Sequence, residues 1–136
     1  MDIIESLKSR AKDEPFCKLL GFKIKEIGMG YARVEGEIDE RMLNIHGITH
    51  GGALFALLDE AFELASNSHG TIAVALNMNV TFHSATSKGD TLISEAKEIH
   101  KTKRTATYLI SVKKEDGTLV ASCQALVYRK GEKLKD

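Results

Sequence analysis

The sequence predicts an α+β domain in which a largely antiparallel sheet curls around one long helix. Three observations carry this. A single long, mostly apolar helical stretch occupies the middle of the chain, from residue 51 to about residue 68. Long alternating or β-branched runs stand on both sides of it, two before and four after. The last two runs are joined by Asp116-Gly117, a strong hairpin signal.

Each element has its own signature. In "DIIESLKSRAK" the apolar Ile3, Ile4, Leu7 and Ala11 fall near helical spacing, and Pro15 stands beyond them as a stop. An N-terminal helix over residues 1–14 is expected. "FCKLLGFKIKEIG" sets Phe22, Ile24 and Ile27 against Lys23, Lys25 and Glu26, as in a strand with one face in water. Gly28 to Gly30 form a turn, and "YARVEGEID" alternates again. Residues 40–50 are expected as loop. "TIAVALNMNVTFHS" is a third strand, broken by "ATSKGD". "TLISEAKEIHKT", "RTATYLISVKKED" and "TLVASCQALVYRK" supply the last three, and the tail 131–136 is expected to fray.

The chain has 136 residues, which suits one domain over 1–136 with a core that needs neither disulfide nor metal. Lys plus Arg and Asp plus Glu both number 19, so the net charge is zero. That speaks against a nucleic-acid binder and against a polybasic membrane binder. Cys17 and Cys123 lie far apart with no CxxC, a usage that fits a reducing cytoplasm. There is no run of 18 apolar residues and no apolar core of a signal peptide near the start. A cytoplasmic protein is expected.

The central helix poses the chemical question. At about 100° per residue, Leu54, Leu57, Leu58, Ala61, Leu64 and Ala65 share a face that should pack on the sheet. Asp59, Glu63 and Ser66 fall on the opposite face. Phe55 and Phe62 flank Asp59 there, which is unusual in open water and suggests cover by another surface, such as a second subunit. Glu60 and Glu63 read as ordinary surface acids. At the helix start, Gly51 and Gly52 offer N–H groups without intrahelical partners and without a Cβ to keep a ligand away. A carbonyl oxygen bound there would be polarised and an oxyanion stabilised. Asp59 lies roughly 12 Å further along the axis. That is too far for both to act on one carbon within one chain, so the pair makes sense if Asp59 meets the Gly51 of another copy.

These residues resemble a hotdog-fold acyl-CoA thioesterase, and more narrowly the phenylacetic-acid-pathway (PaaI-like) group. The resemblance is carried by Asn44, His46-Gly47, His50-Gly51-Gly52, Leu58-Asp59-x-Ala61, Ala65-x-Asn67-Ser68-x-Gly70, Asn79-Val80-Thr81-Phe82 and Gly89-Asp90-x-Leu92. It covers about residues 16 to 130. HGG alone would be weak, but HGG followed by an acid inside "LLDEA" is specific in this strand order. The resemblance implies a sheet of about six strands wrapped around one helix, and a homodimer with a continuous sheet whose dimers pair into tetramers. It implies that the Gly51 N–H polarises the thioester carbonyl and that Asp59 of the partner acts as general base or nucleophile. Asn44 and His50 would place the substrate or hold the site in shape. Gly52, Phe55, Asn77, Asn79, Lys103 and Arg104 would contact the substrate. It implies no metal or redox cofactor, with coenzyme A entering as part of the substrate.

Two departures stand out. Many relatives place a hydroxyl residue on the strand facing the acid, where this chain has Ala75 with Asn77 and Asn79 nearby. The family often has proline after the third strand, where this chain has about Ala85. Elsewhere, His46 and His50 have i, i+4 spacing but no third ligand, so a zinc site is not expected. His69, His83 and His100 read as surface residues, and both cysteines as packing. "HKTKR" at 100–104 reads as a solvated turn or as a contact for coenzyme A phosphates. Thioester hydrolysis is the leading function. A hotdog-fold enoyl-CoA hydratase or dehydratase using His50, and a non-catalytic acyl-CoA binding protein, are the alternatives.

Overall fold

A computed structural model gives the fold over residues 2–135. Helices α1 (Ile3–Asp13) and α2 (Pro15–Leu20) lead into strands β1 (Lys23–Gly28) and β2 (Tyr31–Glu37). A 3-10 turn (Glu40–Met42) precedes the central helix α3 (Gly51–Asn67). Strands β3 (Thr71–Phe82), β4 (Thr91–Lys101), β5 (Thr105–Lys114) and β6 (Leu119–Lys133) complete the chain. All six strands form one antiparallel sheet in the order β1-β2-β4-β5-β6-β3, curled around α3. This is the α+β hotdog architecture that the sequence led us to expect.

Burial follows the pleat. Ala106, Tyr108, Ile110 and Val112 of β5 point inward, and the residues between them face out or sit half-buried. Against them lie Leu57, Leu58, Ala61, Leu64 and Ala65 of α3. Each fully buried leucine contributes about 1.5–3 kcal/mol. Phe62 meets Tyr108 edge-on, with ring centroids 5.6 Å apart. At Asp116-Gly117, Gly117 donates to Lys114 O and Thr118 donates to the Asp116 carboxylate, closing the β5–β6 turn.

Several expectations need correction. Residues 15–20 are helix rather than the start of a strand. Pro15 is the first residue of α2, where its missing N–H costs nothing. The 40–50 loop contains the 3-10 turn and a Leu43–Thr49 bridge. Of the tail expected to fray, residues 131–133 continue β6 beside β3 and Leu134 N–H donates to Gly70 O, while Asp136 lies outside the described residues. Phe62 and Ser66 are buried rather than on an outer face, and Glu60 is 5 % exposed rather than a surface acid. The curl explains all three, because a wrapped helix is covered beyond its apolar stripe. His69 is not a surface residue either; its Nε2 meets Glu98 Oε2 at 2.6 Å.

Candidate functional site

The mouth of α3 is built by its neighbours before its own residues act. His50 N–H donates to Met42 O, Thr49 N–H to Thr86 O, and Thr86 Oγ1 to Thr49 Oγ1 at 2.6 Å. Asn44 Oδ1 accepts from His46 and Ile48 N–H, folding residues 44–48 into a compact turn. Asn44 therefore holds the entrance in shape. Thr49 and Thr86, which the sequence reading passed over, clamp it to the β3–β4 loop.

His50 is the N-cap of α3. Its Nδ1 accepts from Gly52 N–H at 2.7 Å. A Cβ on Gly52 would lie 2.9 Å from that same Nδ1, so the glycine is what lets the imidazole fold back. The Gly52 N–H is thus committed to the cap instead of to a substrate. Ala53 and Leu54 N–H return to His50 O. The Gly51 N–H takes part in none of these bonds and stands at the positive end of the helix. It opens into a cavity of about 320 Å³ shared with Asn44, Leu54, Phe82 and Ala85. The Phe82 ring lies over Gly51, 3.3 Å from where a Cβ would be.

Asp59 lies two turns on and opens into a different cavity. That space, about 770 Å³, is walled by α1, α3, β3 and β6, with Phe62, Ala73, Ala75 and Val127 among its lining. The two cavities have no lining residue in common. Burial, followed by the charge of Glu14, pushes the Asp59 carboxyl above its ordinary range. Around it the structure assembles Glu14, which the sequence reading did not weigh, with Glu60 and Glu63, which it took for ordinary surface acids. Helical spacing from Leu57 could have placed Glu60 at the edge of the apolar stripe. Nothing local could have placed Glu14 there.

The remaining sequence-derived residues are dispersed. Phe55 is exposed on the first turns of α3 and lines neither cavity. Asn77 and Asn79 bond to each other at 2.7 Å on β3, an open sheet edge. Lys103 and Arg104 sit in the β4–β5 turn, where Arg104 Nη1 reaches Tyr128 Oη at 3.1 Å and Arg129 Nη1 donates to Lys103 O. Tyr128 pairs with Val74, whereas Phe82 pairs with Ala121. The basic turn is therefore at the Asp59 end of the sheet, about 23 Å by strand rise from the Gly51 end. Cys17 and Cys123 are buried and unpaired, as expected.

The pattern of the Thioesterase superfamily matches residues 46–121, from the α3 entrance into β6. The chain is 35% identical to acyl-coenzyme A thioesterase PaaI of Escherichia coli, over 88% of this chain and 86% of that one. It superimposes on the structure of Escherichia coli PaaI with a TM-score of 0.92 at 32% identity, covering 98% and 97% of the two chains. It is also similar to the smu.793 protein of Streptococcus mutans, solved with acetyl CoA bound (TM-score 0.80, 26% identity, 83% and 91% covered). The family pattern over more than half of the chain and the likeness to PaaI along nearly its whole length show that the chain belongs to the thioesterase superfamily, as a thioester hydrolase on the hotdog fold.

Proposed function

We propose that the protein hydrolyses acyl-CoA thioesters at sites shared between two copies of the chain. The observation that carries this reading is the division of labour along α3. The Gly51 N–H and the Asp59 carboxylate have complementary chemistry but open into separate cavities of one chain. They can serve one carbonyl only if each comes from a different copy. The open edge of β3 supports such pairing. It is twelve residues long and exposes Val74, Leu76 and Phe82, a surface suited to pairing with a second sheet. Dimers of this kind then pair into tetramers.

The Gly51 N–H would hold the thioester oxygen as negative charge develops on it. Asp59 of the other copy would take a proton from water as the new C–O bond forms, then return it to the departing thiolate as the C–S bond breaks. Direct attack by the Asp59 carboxylate, giving an anhydride that water then opens, uses the same two groups. His50 and Asn44 keep the entrance in shape, and Gly52 donates the cap. Phe55, Asn77 and Asn79 would border the substrate once a second copy covers them. Lys103 and Arg104 would meet the phosphates of coenzyme A. The residues need no metal or redox cofactor for this chemistry. No helix is long and apolar enough to cross a membrane, and the two unpaired thiols suit a cytoplasmic setting. Committing His50 Nδ1 to the backbone weighs against its use as a hydratase base.

The test is thiol release from a panel of aryl- and alkyl-acyl-CoAs. Wild type should turn over, and Asp59→Ala and Asp59→Asn should not. Mixing two inactive variants, Asp59→Asn and Gly51→Pro, then refolding them together, should restore about one quarter of wild-type activity, because half the dimers regain one intact site. Absence of any recovery would refute the shared site.

A further inference from the structure

The junction between α1 and α2 hangs over the Asp59 cavity and carries an acid into it. Glu14 caps both helices. One of its oxygens, Cys17 Sγ and a Glu60 oxygen all lie within 4.8 Å of one another. Glu60 is 5 % exposed, and Glu14 Oε1 and Glu60 Oε2 are buried with no partner when both carboxyls are ionised. Glu63, one turn beyond Asp59, also reaches Glu14. Carboxylates packed this closely do not all ionise. A proton on Glu60 gives both orphaned oxygens a partner, with the Glu60 O–H donating and Glu14 accepting.

The geometry also says which acid keeps its charge. Burial works to raise the Glu14 carboxyl, but hydrogen bonds from Glu63 and Glu60 outweigh it and hold it below the usual carboxylate range. Glu60 and Glu63 are pushed the other way, first by burial and then by Glu14. Glu63 keeps more solvent contact, so sealed Glu60 is the firmer proton holder.

We propose that Glu14 is a positioning residue for Asp59: a fixed negative charge, set into the same cavity by the N-terminal helices, that makes the Asp59 carboxylate a stronger base. Glu60 and Glu63 hold protons and keep that charge single. The inference rests on Asp59 being the reacting carboxylate. Every element around the cavity is consistent with it. From α1 come Arg10 and Asp13 at the rim, and Arg10 forms no ion pair with Glu14 among the described residues. From α2 comes Cys17, a neutral thiol pushed up to about 12, first by burial and then by the acids packed beside it. Its Sγ donates to Phe22 O at 3.6 Å. From α3 come Glu60 and Glu63. β3 offers only apolar lining and β6 gives Val127, while the Cys123 thiol of β6, pushed up to about 11 chiefly by burial, lies outside the lining but feels the charge of Asp59.

The experiment is the pH profile of kcat/KM for thiol release by wild type, Glu14→Gln, Glu14→Asp, Glu60→Gln and Asp59→Asn. Glu14→Gln should move the acid limb to lower pH and lower the plateau several-fold. Glu14→Asp, which keeps the charge, should hold the limb in place, as should Glu60→Gln, whose amide reproduces the donor of a protonated carboxyl. An unmoved limb in Glu14→Gln with Asp59→Asn inactive overturns this inference and leaves the role of Asp59 standing. Activity in Asp59→Asn overturns that role instead. Equal damage in Glu14→Gln and Glu14→Asp would assign Glu14 to packing alone and overturn the inference. Stoichiometric binding of Zn²⁺ in equilibrium dialysis, lost in Glu60→Gln, would show that a cation rather than protons fills the cluster, and would also overturn it.

Discussion

The mouth and the middle of α3 reach their chemistry by opposite means. At the mouth, the group we propose to act is a backbone N–H. It needs no particular side chain, only that none intrude, and its neighbours fix it with caps and loop clamps. In the middle, the proposed group is a carboxylate, which means little without its surroundings. There the curled sheet and the N-terminal helices remove water and crowd acids together. A polarising site is made by leaving atoms out, and a base is tuned by bringing atoms in. Substitutions should therefore behave differently in the two places.

The largest effect is expected at Asp59. Asp59→Asn should cost about 10²–10⁴-fold in hydrolysis while melting with wild type; a small loss would remove the contrast. At the mouth, Gly51→Pro deletes the N–H at a helix position that tolerates proline, and His50 already has the extended backbone a following proline needs. It should lose about 10²–10³-fold in kcat, whereas Gly51→Ala, which keeps the N–H and only presses on Phe82, should lose much less. Similar losses in both would locate the importance of Gly51 in space and not in its N–H. Phe62→Ala should destabilise the fold by about 3–5 kcal/mol in denaturant titrations, by hollowing the wall between the Asp59 cavity and Tyr108. His50→Ala should cost about 1 kcal/mol, recovered by His50→Asn, since either an imidazole or an amide can cap Gly52.

The gentlest probe is pH. Glu60 is pushed from 4.5 up to about 9, by burial first and then by Glu14. A raised folded value means that the full stability is present below about pH 4.5 and is lost as pH climbs through about 9. Glu60→Gln should flatten that decline, and an unchanged slope would place the alkaline sensitivity elsewhere.

The mouth and Asp59 itself were far more legible in the sequence than the surroundings of Asp59. Gly51, Gly52 and Asp59 announce themselves because their meaning is local: a helix start lacks acceptors, and an acid beside phenylalanines is out of place. The length of α3 and the run of β4 to β6 follow from periodicity and one turn. His50 was expected to place the substrate or hold the site in shape, and its role as the helix cap emerged only from the fold-back of its imidazole. Glu14 was not legible, since 45 positions separate it from Asp59 in the chain and only the packing of α1 and α2 joins them. Pro15 misled because the same residue that stops one helix is well suited to start another. Glu60 and Ser66 misled because apolar periodicity reports one covered face, whereas a curled sheet covers most of a helix.

α3 also fixes what kinds of change the gene can absorb. Between Gly51 and Asp59 the chain is an uninterrupted helix. One inserted residue there would advance everything beyond it by about 1.5 Å and turn it by about 100°. Asp59 would swing out of its cavity and the leucines out of the core in the same step. A deletion would do the reverse with equal damage. The turn at Asp116-Gly117, held by a few exposed hydrogen bonds, has no such phase to keep. Changes of length should accumulate in that turn over evolutionary time, while the eight steps from Gly51 to Asp59 stay eight.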